Sequence, residues 1–265
     1  NLKPIAMAEF WWGQSPASAI RKHQNFYPSC QGKCKPILNH MLNGIDVDHN
    51  PLLICKAKNK PIEIIYEDEN ILLINKPTDL LSVPGKNIKD SVYNRIKQKF
   101  PMITGPIIVH RLDMSTSGLM IITKNKGAHK HLQKQFINHK IKKKYTAILD
   151  GEVSVYEGEI NLPIRLDIDD RPRQLVCDIH GKPSRTRWKV LEIKNKRTKI
   201  CFEPITGRTH QLRVHSAHIR DLNIPILGDD LYGKKSDRLY LHAKFIQFNH
   251  PKTNERLKFN LEADF

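Results

Sequence analysis

No run of apolar residues in this chain approaches the ~18 that a helix needs to cross a bilayer, and nothing near its start has the form of a secretory signal. The expectation is a soluble, cytoplasmic protein with no membrane partner. Cysteine is scarce and odd in number. Five thiols in 265 residues do not make a disulfide framework, and Cys55, Cys177 and Cys201, set singly among strand-like residues, read as buried free thiols. Acid is short as well: 27 Asp and Glu face 44 Lys and Arg, and the resulting net charge of +17 calls for a polyanionic partner. There is no internal repeat and no low-complexity tract.

What is present suffices for a folded domain, since 39% of the residues are hydrophobic. Residues 1–55 differ from the rest, with Trp11, Trp12, Phe26, Tyr27 and Pro28 crowded among polar residues, and read as an N-terminal extension. The chain begins at Asn1 rather than Met, so that region reads as a fragment of something longer. Residues 56–265 alternate short apolar strands with turns. Strands are expected at Ile62–Tyr66, Ile71–Asn75, Ile107–Val109, Leu119–Thr123, Tyr145–Leu149, Arg185–Ile193, Thr198–Pro204 and Leu239–Phe248. Helical spacing appears at Ser91–Phe100 and Gly127–His139. Strands dominate and helices intervene irregularly, which points to an α+β domain on a mainly antiparallel sheet rather than a βαβ array.

Three segments carry chemistry. His110-Arg111-Leu112-Asp113-Met114-Ser115-Thr116-Ser117-Gly118 lies between two apolar strands and is a loop held by the sheet, a common seat for active sites, although its spacing alone equally suits an ordinary turn. Thr206 to His215 starts in a turn and enters a helix, concentrating Arg208, His210, Gln211, Arg213 and His215, a set suited to phosphate and base contacts or to a capped helix with a solvated face. The histidines at 210, 215 and 218 lack a zinc-protease spacing. Lys140 to Ala147 alternates charge with strand formers and ends near Tyr145, which fits either an RNA contact or a solvated edge strand.

In this order the three segments resemble the RluA family of pseudouridine synthases, whose hallmark is the HRLD-x-x-TSG loop found at 110–118. The similarity extends through Asn75-Lys76-Pro77, Leu81-Ser82-Val83-Pro84-Gly85, the element ending at Tyr145, the Gly-Arg-Thr-His-Gln-Leu-Arg-Val-His segment and Leu241-His242-Ala243, and covers roughly residues 61–265. Leu162-Pro163-Ile164, Arg171-Pro172-Arg173-Gln174 and Gly181-Lys182-Pro183 look closest to the branch typified by RluA itself, whose substrates include a uridine of large-subunit rRNA and one in a tRNA anticodon stem-loop.

The resemblance implies an isomerase that breaks the N1–C1′ bond of a uridine flipped out of its stack, turns the uracil and joins C5 to C1′, with no cofactor. It implies Asp113 as the catalytic carboxylate, Arg213 as its ion-pair partner, and Tyr145 as the residue that stacks on the uracil and is a candidate base for the C5 proton. Arg111 resembles a residue that fills the vacated space. His110, Lys142, Lys144, Arg208 and His210 are expected to contact RNA, the lysines, Arg208 and His210 through backbone phosphates. The rival is a non-catalytic RNA-binding or assembly factor on the same fold. A monomer is assumed. Cys30 and Cys34, with His23 and His40 nearby, have a spacing that suits zinc, but no second paired motif accompanies them, and two packed thiols are the favoured reading.

Overall fold

A computed structural model describes residues 60–265. The expected extension, with Cys30, Cys34 and Cys55, lies outside the described residues. Within them, β1 (Glu63–Glu67), β2 (Ile71–Lys76), β3 (Ser117–Thr123), β4 (Lys142–Leu149), β5 (Glu157–Asn161), β8 (Arg185–Lys194), β9 (Arg197–Pro204), β10 (Leu241–Asn249) and β11 (Arg256–Asn260) form one sheet in the order β1-β2-β3-β10-β4-β9-β8-β5, with β11 on β10. Every pairing is antiparallel except the short one between β3 and β10. A separate hairpin joins β6 (Ile164–Leu166) to β7 (Gln174–Val176). The helices are α1 (Val92–Lys99), α2 (Lys126–Ile137) and α3 (Gln211–Ala217).

The two halves of the sheet are covered differently, and the sequence says why. β2 and β3 are apolar at nearly every position: Leu72, Ile74, Met120 and Ile122 pack one face beneath α1, while Ile71, Leu73, Leu119 and Ile121 pack the other beneath α2. β8 instead alternates, burying Thr186, Trp188 and Val190 and exposing Arg185, Arg187 and Lys189, so this half has a core on one face only. α1 and α2 start where Ser91 accepts from the Asn94 N–H (3.2 Å) and Asn125 from the Ala128 N–H (2.9 Å).

The expected strand at Ile107–Val109 makes only a bridge from Ile108 to Ile122, whereas β5, β6, β7 and β11, three to five residues each, add strands that the sequence pattern does not predict. Cys177 and Cys201 are free thiols, half-buried rather than fully so.

Gly118 is the residue that admits β10 to the sheet. Its backbone lies at φ 112°, and a Cβ there would fall 2.5 Å from the Ala243 carbonyl oxygen and 2.7 Å from the Ala243 nitrogen. Gly118→Ala should therefore destabilise the domain by about 3 kcal/mol in denaturant unfolding, from backbone strain and overpacking together. A loss below about 1 kcal/mol would mean that the two strands can part freely.

Candidate active site

The hallmark loop owes its place to a gap in the sheet. β10 runs beside β3 only where His242 and Ala243 face Ser117 and Gly118, and further on β10 takes β11 instead. The edge of β3 thus vacated is filled by residues 106–110. Thr123 N–H donates to the Ile107 carbonyl (2.9 Å), and Ile121 N–H donates to His110 Nε2 (2.9 Å). The His110 ring also stacks on Phe136 with centroids 4.8 Å apart. Burial, and secondly the charge of Lys143, push His110 down to about 3, so it is a neutral acceptor that pins the loop's first residue to the sheet.

The other side of the loop is held by Lys76 at the end of β2 together with Thr78 and Ser82. Lys76 is fully buried, and its Nζ donates to the carbonyls of Pro77 (2.8 Å), Leu80 (2.7 Å) and Met114 (3.0 Å), one for each ammonium proton. Burial pushes it down to about 7, against the pull of Asp113 and Asp79. Thr78 Oγ1 donates to the Ser115 carbonyl (2.9 Å). Ser82 Oγ donates to the Leu112 carbonyl (2.6 Å) and accepts from the Leu112 N–H (3.1 Å). Asp113 is thereby presented from a loop clamped on both flanks.

Opposite stands α3. Gln211 at its head spends its whole amide internally: Oε1 accepts from Thr206 Oγ1 (2.7 Å) and the Arg208 N–H (2.9 Å), and Nε2 donates to the Arg185 carbonyl (3.1 Å) and Thr186 Oγ1 (2.9 Å). His215 is likewise committed to Thr186, Ser184 and the Leu162 carbonyl. Neither is available to RNA bases.

Between loop and helix lies a cavity of about 260 Å³, room for one nucleotide rather than a duplex. Asp113, Tyr145, Arg213, His110, Arg111, Arg208 and His210 all reach its wall. The period of two in β4 divides the lysines. Lys143 joins Tyr145 in the cavity, while Lys144 lines a groove on Arg187, Cys201 and Glu203 instead, its ammonium 5.9 Å from the Phe245 ring centroid, and Lys142 is exposed. Arg208 is exposed at the rim, donating to the Pro183 carbonyl (3.1 Å).

The expected pairing of Arg213 with Asp113 is replaced by another. Arg213 Nε donates to Asp229 Oδ2 (2.8 Å) and its Nη2 to Asp229 Oδ1 (2.6 Å) and Asp230 Oδ1 (3.0 Å). Asp229 is wholly buried and also caps a turn through the N–H groups of Leu231 and Tyr232 (3.0 Å each). A buried guanidinium needs a bidentate anion, and the tandem acids that supply it come directly after Gly228, the first of them sixteen residues on. Burial opposes the charge of Arg213, yet Asp229 holds it above its usual range, helped by Asp113 at longer reach.

Asp113 thus acts on two cations, Lys76 and Arg213, that others already hold. Its charge acts on Lys76, Tyr145, His210, Arg213 and Tyr232 alike, which places it at the centre of the site. Burial first, and Asp113 second, raise Tyr145 well above the ordinary phenol range. Sequence reasoning missed Asp229, Asp230, Tyr232 and the clamping role of Lys76. The signals were a lone Lys ending an otherwise apolar strand and the Gly-Asp-Asp-Leu-Tyr run.

A clamped loop that presents a carboxylate to a nucleotide-sized cavity is the frame of an enzyme site, and residues 70–218 match the family model of RNA pseudouridylate synthases. A solved human protein, RNA Pseudouridylate Synthase Domain Containing 1, shares the fold with a TM-score of 0.66 at 28% identity, over 77% of this chain and 84% of that one. The Dual-specificity RNA pseudouridine synthase RluA of Vibrio parahaemolyticus is 44% identical over 218 residues, 77% of this chain and 84% of that protein. Its Escherichia coli counterpart is 41% identical over 210 residues, 76% and 93%. The chain belongs to the RluA family of RNA pseudouridine synthases, and is an isomerase acting on RNA.

Two predictions come from this geometry. Lys76→Met leaves three carbonyls without their donor and should cost about 3 kcal/mol in urea unfolding, with loss of turnover. An equally stable variant would refute the clamp. Burial pushes Lys143 down to about 8, so it is cationic below that pH and neutral above it. RNA affinity at fixed salt should be full near pH 7 and fall about tenfold as the pH rises through 8, the worth of one charged hydrogen bond. Lys143→Met should bind weakly throughout and flatten the profile, as read by fluorescence anisotropy.

Proposed function

We propose that Asp113 is the catalytic carboxylate of this synthase and that its substrates are uridines in RNA stem-loops, in large-subunit rRNA, in a tRNA anticodon arm or in both. The observation that carries the assignment is the position of Asp113, the one carboxylate among the described residues lining a cavity that it shares with cations, imidazoles, a tyrosine and apolar side chains. The reaction leaves the atom count unchanged: N1–C1′ breaks, C5–C1′ forms, C5 loses a proton and N1 gains one. The ionised carboxylate serves this at the ribose, and the cavity keeps the freed uracil from bulk water. Tyr145 offers a stacking wall. With its hydroxyl held protonated across the neutral range, it is poorly suited to act as a free base at C5.

Extruding the uridine costs a few kcal/mol, least for poorly stacked loop bases, and Arg111, whose exposure beside the cavity supports this reading, fills the vacated space. Two relatives are named as dual-specificity synthases, which supports more than one RNA substrate here. The test is Asp113→Asn on a 5-tritiated uridine stem-loop. Tritium release should vanish while RNA affinity stays within about twofold, since that residue adds no attraction to phosphate. Residual turnover at the wild-type rate would remove Asp113 from the chemistry.

A further inference from the structure

His210 sits in a conformation that needs a reason. It begins α3 in the left-handed region (φ 52°), where a residue with a Cβ costs on the order of 1 kcal/mol, and its side chain makes no cap for the helix. Only 9% of it is exposed, and what shows lines the cavity that holds Asp113. Its Nδ1 lies 2.9 Å from the hydroxyl of Tyr232. That phenol stands behind it, outside the cavity wall, with its ring edge against the imidazole (centroids 5.7 Å, 78°) and the Arg213 guanidinium 5.4 Å from its centroid. The same hydroxyl accepts the backbone N–H of Gln174 in β7 (2.7 Å).

Bond directions point to one tautomer, the one in which every proton at this contact finds an acceptor. A backbone N–H only donates, so Gln174 occupies a lone pair of the Tyr232 oxygen. Burial pushes Tyr232 up to about 12, so its proton stays, and among the described residues the sole acceptor that proton reaches is His210 Nδ1. Burial is also the main influence on His210, lowering it against the pull of Asp113 and Asp229 and with the push of Arg213 and Arg111, which keeps the ring neutral. The ring's single proton then falls on Nε2, the nitrogen that has no partner among the described residues.

We propose that His210 reads the substrate: its Nε2–H donates to a carbonyl oxygen of the uracil in the cavity, and Tyr232 is a positioning residue that fixes the imidazole in the donating tautomer. Uracil presents carbonyl oxygens at C2 and C4. Between cleavage of N1–C1′ and closure of C5–C1′ the base has no covalent tether, and a fixed donor keeps it in register while it turns. The strained backbone at residue 210 aims the ring inward instead of toward solvent. This rests on the synthase reading above.

The test combines histidine side-chain 15N NMR with turnover on a uridine stem-loop. In the wild-type protein the His210 ring should show Nε2 protonated and Nδ1 bare, and Tyr232→Phe should populate the other tautomer or the imidazolium. Tyr232→Phe should lower kcat about tenfold with the KM for RNA within about twofold, the loss of one oriented hydrogen bond. His210→Gln, whose amide nitrogen reaches toward the Nε2 position, should keep several-fold more kcat than His210→Ala. An Nδ1-protonated or charged His210 in the wild type, an unchanged kcat in Tyr232→Phe, or equal loss in the Gln and Ala variants would overturn the proposal. If Tyr232→Phe fails to fold, the wild-type spectrum and the Gln–Ala comparison decide alone. Wild-type protein that forms no pseudouridine would instead sink the synthase reading, and the tautomer assignment would be judged separately from the spectrum.

Discussion

The site depends on a separation of charges: two of the cations that feel Asp113, Arg213 and Lys76, are each held by something else. Arg213 is held by Asp229 and Asp230, and Lys76 by three carbonyls. A direct ion pair would engage the oxygens that, on the proposed reading, meet the substrate. With these neighbours held by other groups, the Asp113 carboxylate is left open to the cavity. The cost is a fully buried carboxylate, Asp229, whose contacts serve to hold Arg213 and the turn at 231–232.

That arrangement rests on the seam in the sheet. Gly118 lets β10 approach β3 for two residues, the strands then diverge, and the edge left bare on β3 binds residues 106–110. From there the hallmark loop emerges over the cavity, fastened by His110 on one flank and by Lys76, Thr78 and Ser82 on the other. Rigid support of this kind is what a carboxylate needs if binding energy is to act in the transition state rather than be spent on ordering the loop.

Much of this was legible in the residues. Two-sided burial of β2 and β3 shows in their unbroken apolar runs, and the one-sided burial of β8 in its alternation. The hallmark loop, Tyr145 and Arg213 carry the family pattern and do meet at one cavity. The lysines of β4 were harder. A strand's period of two sends Lys143 to the cavity and Lys144 elsewhere, but which parity faces inward depends on a register that neighbouring strands set. The strands β5, β6, β7 and β11 are three to five residues long, too short for a period of two to stand out along the chain.

By itself, the sequence determined the α+β class, the family and the identity of the central carboxylate, because these depend on local periodicity and on residue types fixed in short segments. Only the tertiary structure decided who pairs with whom. The partner of Arg213 is Asp229 rather than Asp113, the acceptors of Lys76 include one thirty-eight residues away, and the proton of His210 is set by Tyr232 and a backbone group of β7. Hydrogen bonds between distant segments depend on distance and angle in three dimensions, quantities that no spacing along the chain contains.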